Sequence, residues 1–138
     1  MSKISGPLLD RIDLHVEVTP VNFNELTSVA EAEKSAEIRE RVIRARNIQD
    51  ARFNASKNLH YNAQMSPRMV RDICKINEAG QGLIRQAMEK LGLSARAYDR
   101  ILKVARTIAD LAECEEIKLE HLAEAIHYRS LDRDSWAG

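Results

Sequence analysis

Aromatic side chains, glycine, proline and cysteine are all scarce in this sequence of 138 residues. Aromatic residues make up 4% of the chain, so its hydrophobic core has to be built mainly from Leu, Ile, Val and Ala. Five glycines and three prolines leave few positions for the many turns of an all-β protein. We therefore expect a mainly α-helical fold, in a chain long enough to form one domain with its own core.

The sequence also lacks the marks of membrane and secreted proteins. No apolar run approaches the about 20 residues of a membrane-spanning helix, and the N-terminal stretch MSKISGPLLDR contains no signal-peptide apolar segment. Cys74 and Cys114 both fall in helix-like patterns, which favours two buried thiols in a reducing compartment over a disulfide. We expect a cytoplasmic protein without a membrane partner.

Motifs of a complete catalytic centre are missing as well. The chain has no GxxxxGK[ST] phosphate loop and no GxGxxG motif. Its four histidines lie far apart, and His121 and His127 are not spaced to ligate one metal from a single helix face. We expect no metal site in this chain.

Charge is balanced in total but not along the chain. The sequence has 21 Lys and Arg against 21 Asp and Glu, yet residues 38–106 hold 15 basic and 6 acidic side chains. A net charge of zero argues against a histone-like nucleic-acid binder. The basic middle block is nevertheless compatible with binding of an anionic ligand.

From residue 31 onward the apolar residues recur at helical spacing. The pattern predicts a long helix over about 31–53, with Ile38, Val42, Ala45 and Phe53 facing inward, followed by a polar loop over 54–65. Ser66-Pro67 is a typical helix start, and that helix is expected to end near Gly80. Three further helices are predicted: one ending at Gly92, one of about 17 residues capped by Ser94, and one over about 119–130.

The N-terminal part differs from this helical region. Residues 12–18 alternate apolar and polar side chains, which is typical of a half-buried β-strand, and Pro20 blocks its continuation. No second alternating segment follows, and a lone strand cannot satisfy its own backbone hydrogen bonds. The strand therefore needs a partner outside this chain, as in a piece of a larger fold.

Arg96 is the first candidate functional residue. It falls in the first turn of the helix capped by Ser94, where unpaired backbone N–H groups and the helix dipole favour an anion. Arg100 and Lys103 share its face at i+4 and i+7, opposite the apolar stripe. The alternative is an ordinary solvated basic face.

Arg11 is the second candidate. It directly precedes the predicted strand, in Gly6-Pro7-Leu8-Leu9-Asp10-Arg11, so rigid neighbours would hold it on a loop from which it can reach a phosphate. The alternative is a surface arginine that pairs with Asp10 or Asp13.

Several stretches together resemble a known family. SGPLLDRIDLHVEV, then GLSARAYDRILKVARTIADL, IKLEHLAEAI and YRSLDR, are similar to the C-terminal part of the magnesium-chelatase-like AAA+ ATPases, in particular their ComM/YifB competence-related branch. The resemblance covers essentially the whole chain. It implies three parts: residues 1–30 as a remnant of an α/β ATPase core with its last β-strand, residues 31–132 as a helical lid domain of four to five helices, and residues 133–138 as a tail.

The resemblance also implies roles for the two arginines. Arg11 would be an arginine finger acting in trans on the neighbouring subunit's nucleotide, and Arg96 a sensor-2 residue near the γ-phosphate, with Arg100 as a lesser nucleotide-binding candidate. ATP and Mg²⁺ would bind only in the longer protein, whose phosphate loop would lie upstream of residue 1. The chain alone is then expected not to hydrolyse ATP. Its partners would be the upstream core, the neighbouring subunits of a ring and, through the longer protein, DNA.

Two other functions remain open on the sequence alone. The chain could bind nucleic acid directly through the arginines of the long helix: Arg39, Arg41, Arg44, Arg46 and Arg52. Glu40 and Asp50 among them, and the few aromatics for base stacking, weigh against this. Alternatively, the bundle could dock a partner protein and bind no nucleotide.

Overall fold

Within residues 32–129, five α-helices and one 3-10 turn form a helical bundle. The computed structural model describes Leu8, residues 11–16, Val18 and residues 32–129. The predicted mainly α-helical bundle is confirmed. In chain order the elements are α1 (Ser35–Arg52), the 3-10 turn (Asn62–Gln64), α2 (Pro67–Ile73), α3 (Glu78–Leu91), α4 (Ala95–Leu111) and α5 (Leu119–His127).

Helix α4 lies at the centre of the bundle and packs against α1, α2, α5 and the 3-10 turn. Its residues Ile101, Leu102, Ala105 and Ala109 are almost completely buried, and the two alanines let neighbouring helices approach closely. The core is aliphatic as predicted, apart from a few larger or sulfur-containing side chains. Those members are Phe53, Met65 and Cys74.

The predicted start of α2 and both ends of the α3–α4 connection are confirmed. The Ser66 hydroxyl accepts a hydrogen bond from the Met69 N–H at 3.3 Å, and Pro67 takes the first helical position. Gly92 ends α3 in the left-handed conformation, with φ 62°. Ser94 then caps α4 by accepting from the Ala97 N–H at 3.3 Å.

The predicted end of the second helix near Gly80 is wrong. Helix α2 ends at Ile73, and Gly80 lies inside the first turn of α3. Asn77 is the N-cap of α3, because its side chain accepts from the Gly80 N–H at 2.8 Å. Gly80 is there for packing: a Cβ at this position would lie 2.8 Å from Leu122 Cδ1 of α5.

Two inward-facing residues predicted for the long helix are exposed. Ala45 and Phe53 are buried as expected, but Ile38 and Val42 keep 42% and 39% of their surface. The first six residues of α1, 35–40, are all exposed. Among the described residues, the bundle covers mainly the C-terminal half of α1, which leaves Ile38 and Val42 exposed.

The N-terminal residues form no strand in the part that the structure describes, which includes 12–16 and 18. Arg11 has helical backbone, not the predicted loop conformation. A strand needs a neighbouring strand to complete its hydrogen bonds, and the described part of the chain contains none. The predicted loop at 19–30 and the predicted tail at 133–138 lie outside the described residues, so the domain boundaries placed there stay predictions.

Candidate functional site

The first turn of α4 presents Arg96 to solvent. Ser94 fixes the start of the helix, and the next residue after Arg96, Ala97, is buried in the core. The turn is therefore held rigidly, while the Arg96 side chain is exposed. Within the described residues Arg96 has no hydrogen-bond or ion-pair partner. A rigid helix N-terminus carrying an available guanidinium can bind an anion.

The other two members of the predicted basic face have partners inside the chain. The Arg100 guanidinium donates to the carboxylate of Asp13 in an ion pair. The Lys103 ammonium donates to the carbonyl of Ala63, just after the start of the 3-10 turn, at 3.2 Å. Of the predicted face, Arg96 alone is left for an external ligand in the part of the chain that the structure describes.

The second candidate, Arg11, is exposed at the start of a segment that is attached to the bundle. The carbonyl of Ile12 accepts a hydrogen bond from the Arg129 guanidinium, and the His15 N–H donates to the Tyr128 carbonyl at 2.9 Å. Arg129 itself is 1% exposed. The structure therefore places Arg11 beside a fixed chain segment, although not on the predicted loop.

A buried ionic cluster lies at the opposite end of α4, and the sequence analysis missed it. Asp110 is fully buried and accepts from Arg52 of α1 at 2.9 and 2.7 Å. It also accepts from Asn62 Nδ2 at 2.8 Å and from Arg106 Nε at 3.2 Å. The buried carboxylate thus receives donors from three parts of the chain: α1, the 3-10 turn and α4 itself.

Arg106 connects this cluster to the loop after α4. Its two terminal nitrogens donate to the carbonyls of Cys114 and Glu115, at 2.6 and 2.7 Å. A signal did exist in the sequence: Arg106 and Asp110 are spaced i, i+4 within the otherwise apolar stripe of α4. The partners Arg52 and Asn62 could not be read from the sequence, because they lie on distant segments.

An open groove of about 480 Å³ lies between α1 and α4. Val42 of α1 and Val104, Ile108 and Leu111 of α4 line it, and Leu14 of the N-terminal segment reaches its wall. This groove separates the two helices beside Val42, which explains the exposure of that residue.

Comparison with known proteins adds a family to this geometry. Residues 32–129 match the family described as "Magnesium chelatase, subunit ChlI C-terminal". The chain belongs to the ChlI C-terminal family. The long described stretch of the molecule, residues 32–129, coincides with the matched range.

Two relatives of this ChlI C-terminal domain extend the similarity to its N-terminal segment. The chain is 42% identical over 134 residues to "Competence protein ComM" of Haemophilus influenzae, which covers 96% of this chain and 25% of that protein. It is 38% identical over 135 residues to "Uncharacterized protein YifB" of Escherichia coli, covering 96% and 26%. The chain spans about a quarter of the length of the curated relatives it matches.

Direct binding of nucleic acid would require the arginines of α1. Most of these arginines form ion pairs or ring contacts within this ChlI C-terminal domain. Arg41 pairs with Glu33, and Arg52 is held by Asp110. Arg44 lies 3.7 Å from the Glu113 carboxylate, and Arg46 stacks over Tyr61 with its Cζ 4.9 Å from the ring centroid. This arrangement weakens α1 as a purely electrostatic phosphate-binding surface.

The described residues also contain two free cysteines, and they contain no cluster of metal-ligating side chains. Cys74 is buried as predicted, whereas Cys114 is half-buried. Burial raises the pKa of the Cys74 thiol from 9.0 to about 11. Among residues 8, 11–16, 18 and 32–129, no three His, Cys, Asp or Glu side chains are grouped as metal ligands. The helices of these residues include no candidate membrane-spanning segment.

Proposed function

We propose that the chain is the lid domain of a ring-forming AAA+ ATPase, with Arg96 as its sensor-2 residue and Arg11 as a trans arginine finger. The observation that carries the proposal is the exposed Arg96 guanidinium on a capped, rigidly packed helix N-terminus, in a chain of the ChlI C-terminal family. The longer protein would bind ATP and Mg²⁺ with residues outside this chain. For the competence-related branch, its work would be on DNA in transformation or recombination.

The chemistry of Arg96 fits contact with a terminal phosphate. A guanidinium forms bidentate hydrogen bonds with phosphate oxygens, and the N-terminus of α4 adds favourable partial charge. Since α4 is the central helix of the bundle, Arg96 would transmit the presence of that phosphate to the whole domain. Loss of the phosphate would release α4 to change its angle to the ATPase core.

Arg11 would act on a different nucleotide, the one bound by the neighbouring subunit. Its exposure and its attachment beside Ile12 suit a side chain that projects from a fixed edge. An arginine supplied to a transferring phosphoryl group contributes by neutralising charge that develops in the transition state. Its contribution therefore depends on how accurately the segment is held.

The Arg96 assignment is tested by ATP hydrolysis of the longer protein that contains this chain. Arg96→Ala should lower kcat by roughly tenfold or more, because a phosphate contact is lost. Arg68→Ala is the matched control: Arg68 is also exposed, also two residues after a serine N-cap, and lies in α2. Wild-type turnover in Arg96→Ala would contradict the proposal.

The trans role of Arg11 is tested by mixing subunits. Arg11→Ala subunits retain Arg96, and Arg96→Ala subunits retain Arg11, so a mixed ring contains some nucleotide sites with both arginines. The mixture should then hydrolyse ATP faster than either variant alone. If Arg11 acted on its own subunit's nucleotide, mixing would add no activity.

A second candidate function is direct contact with single-stranded DNA at Tyr61. Tyr61 is an exposed aromatic residue with Arg46 stacked on it, and His60 lies beside it. Aromatic and basic side chains together are a typical base-stacking platform. Titration of the chain with a short single strand at two salt concentrations tests this: Tyr61→Ala should weaken salt-dependent binding, and absence of binding by the wild type excludes it.

A further inference from the structure

Three contacts join the segment 12–15 to α4 and to the end of α5. The Asp13 carboxylate pairs with Arg100, the Ile12 carbonyl accepts from Arg129, and the His15 N–H donates to the Tyr128 carbonyl at 2.9 Å. Together they connect residues more than 80 positions apart in sequence, since Arg100 and Asp13 are separated by 87 and Arg129 and Ile12 by 117. The N-terminal segment is therefore attached by tertiary contacts, in the absence of a strand over its described residues 12–16 and 18.

These contacts bring the two proposed phosphate-binding arginines onto one unit. Arg11 directly precedes Ile12, and Arg96 lies one helical turn before Arg100 on the same face of α4. In the Asp13–Arg100 pair, Asp13 therefore lies two residues after Arg11, and Arg100 four residues after Arg96. Arg96 and Arg100 belong to one continuous helix, and Arg100 in turn pairs with Asp13.

We propose that Arg100 and Arg129 are positioning residues that couple Arg11 to Arg96. The inference rests on the proposed function, in which Arg96 contacts the subunit's own nucleotide and Arg11 contacts that of the neighbour. Arg100 then serves the ATPase by holding Asp13, and not as a nucleotide ligand. The coupling passes from one nucleotide site to the next around the ring through a single ion pair and a backbone contact.

The two contacts have different physical characters. Arg129 is a buried guanidinium that holds a backbone carbonyl, so it fixes the position of the segment. The Arg100–Asp13 pair is partly exposed, with 30% and 49% of the two side chains accessible. Partly exposed pairs are weak and easily broken. The Arg100–Asp13 pair is therefore the contact that can break and re-form, whereas the contact of Arg129 with Ile12 stays in place.

Exchange of the two charges tests the coupling in the longer protein. Arg100→Asp and Asp13→Arg should each lower kcat about tenfold with little change in KM, because Arg11 is misplaced and nucleotide binding is kept. The double variant D13R/R100D restores the pair and should recover most of kcat. If Arg100 contacted phosphate directly, an aspartate at 100 would stay inactive in the double variant, and the proposal would be overturned.

The exposed pair Glu33–Arg41 in the region of α1 supplies the control. The exchange E33R/R41E alters the same kinds of charge away from Arg11 and Arg96, so it should leave both kcat and KM unchanged. If kcat fell equally in this control and in the Arg100 variants, a specific coupling of Arg11 to Arg96 would be contradicted.

Hydrogen exchange of the 138-residue chain separates this inference from the proposed ATPase role. The His15 amide, which donates to Tyr128, should exchange several-fold faster in Arg100→Gln and Asp13→Asn than in the wild type. Arg129→Lys should accelerate it as well, with amides of the α4 core unchanged. Unaltered His15 exchange in all three variants overturns the coupling, whatever the ATPase assays give. An accelerated His15 amide combined with full activity of Arg96→Ala would instead retain the attachment and remove the nucleotide role.

Discussion

Arg52 and Asp110, separated by 58 residues, form a two-pronged ion pair inside the bundle, with N–O distances of 2.9 and 2.7 Å. The pair joins the C-terminal end of α1 to α4, directly before the buried core residue Phe53. Asn62 of the 3-10 turn donates to the same carboxylate. The packing of α1 on the bundle therefore combines a buried polar contact with the burial of Ala45 and Phe53.

Removal of the Asp110 charge should destabilise the fold strongly. Asp110→Asn leaves Arg52 and Arg106 as buried cations without their counter-charge, and we expect a loss of about 3–5 kcal/mol in the free energy of unfolding. Urea denaturation followed by circular dichroism measures it. Glu33→Gln is the control, since it breaks an exposed pair and should cost no more than about 1 kcal/mol. Similar losses in both variants would contradict the structural importance of the cluster.

Two glycines of α3 should respond oppositely to alanine. At Gly80 a Cβ would lie 2.8 Å from Leu122 Cδ1 and 3.2 Å from Ile76 Cβ, whereas at Gly82 nothing lies within 4 Å. Gly82→Ala should stabilise the chain by about 0.5–1 kcal/mol through helix propensity. Gly80→Ala should destabilise it by about 1–3 kcal/mol through overpacking. Melting temperatures of the two variants, measured side by side, decide this, and a stabilised Gly80→Ala would refute the close approach.

The N-cap of α3 should contribute measurably to stability. Asn77→Ala removes the acceptor of the Gly80 N–H and should cost about 1 kcal/mol. Asn47, exposed in the middle of α1, is the matched control, and Asn47→Ala should be neutral or slightly stabilising because alanine favours the helix. Chemical denaturation of both variants gives the comparison. Equal effects would mean that Asn77 acts only through its helix propensity.

The two cysteines should differ in reactivity in the folded chain. Cys74 is buried with its pKa raised to about 11, so at pH 8 its thiolate fraction is about 100-fold below that of a thiol of pKa 9. Cys114 is half-buried and accessible. Alkylation with iodoacetamide followed by peptide mass spectrometry should label Cys114 first and Cys74 only after unfolding. Equal labelling of both in the native chain would contradict the burial of Cys74.

Because the pKa of Cys74 is raised, the free energy of unfolding of the chain should fall in alkaline solution. The unfolded thiol loses its proton from about pH 9, whereas the folded Cys74 keeps its proton up to about pH 11. The contribution is therefore complete below pH 9 and is lost as the pH rises from 9 to 11. Cys74→Ser removes the titrating thiol, and its unfolding free energy should lose this part of the pH dependence.

Features that depend on neighbours in sequence were predictable. The Ser66 and Ser94 caps and the left-handed Gly92 each involve contacts within a few residues, and all three are confirmed. The same local reasoning is wrong at Gly80, where it predicts a helix end. Its true role depends on Leu122 of another helix, and no local pattern encodes that approach.

Features that depend on tertiary contacts were not predictable. Helical periodicity identified a face containing Ile38 and Val42, but it could not tell that the neighbouring helix covers only the far half of α1. For Arg100 and Lys103 the shared face was predicted, whereas their partners Asp13 and Ala63 are distant in sequence. The roles of Arg11 and Arg96 in hydrolysis stay predictions.

The close approach of Gly80 to Leu122 also limits how the sequence can change over time. A larger side chain at position 80 and leucine at position 122 compete for the same small volume. If position 80 grows first, the chain passes through an overpacked state, and if Leu122 shrinks first, it passes through a state with a cavity. Each single substitution lowers the stability of the fold. Substitutions at positions 80 and 122 should therefore occur together.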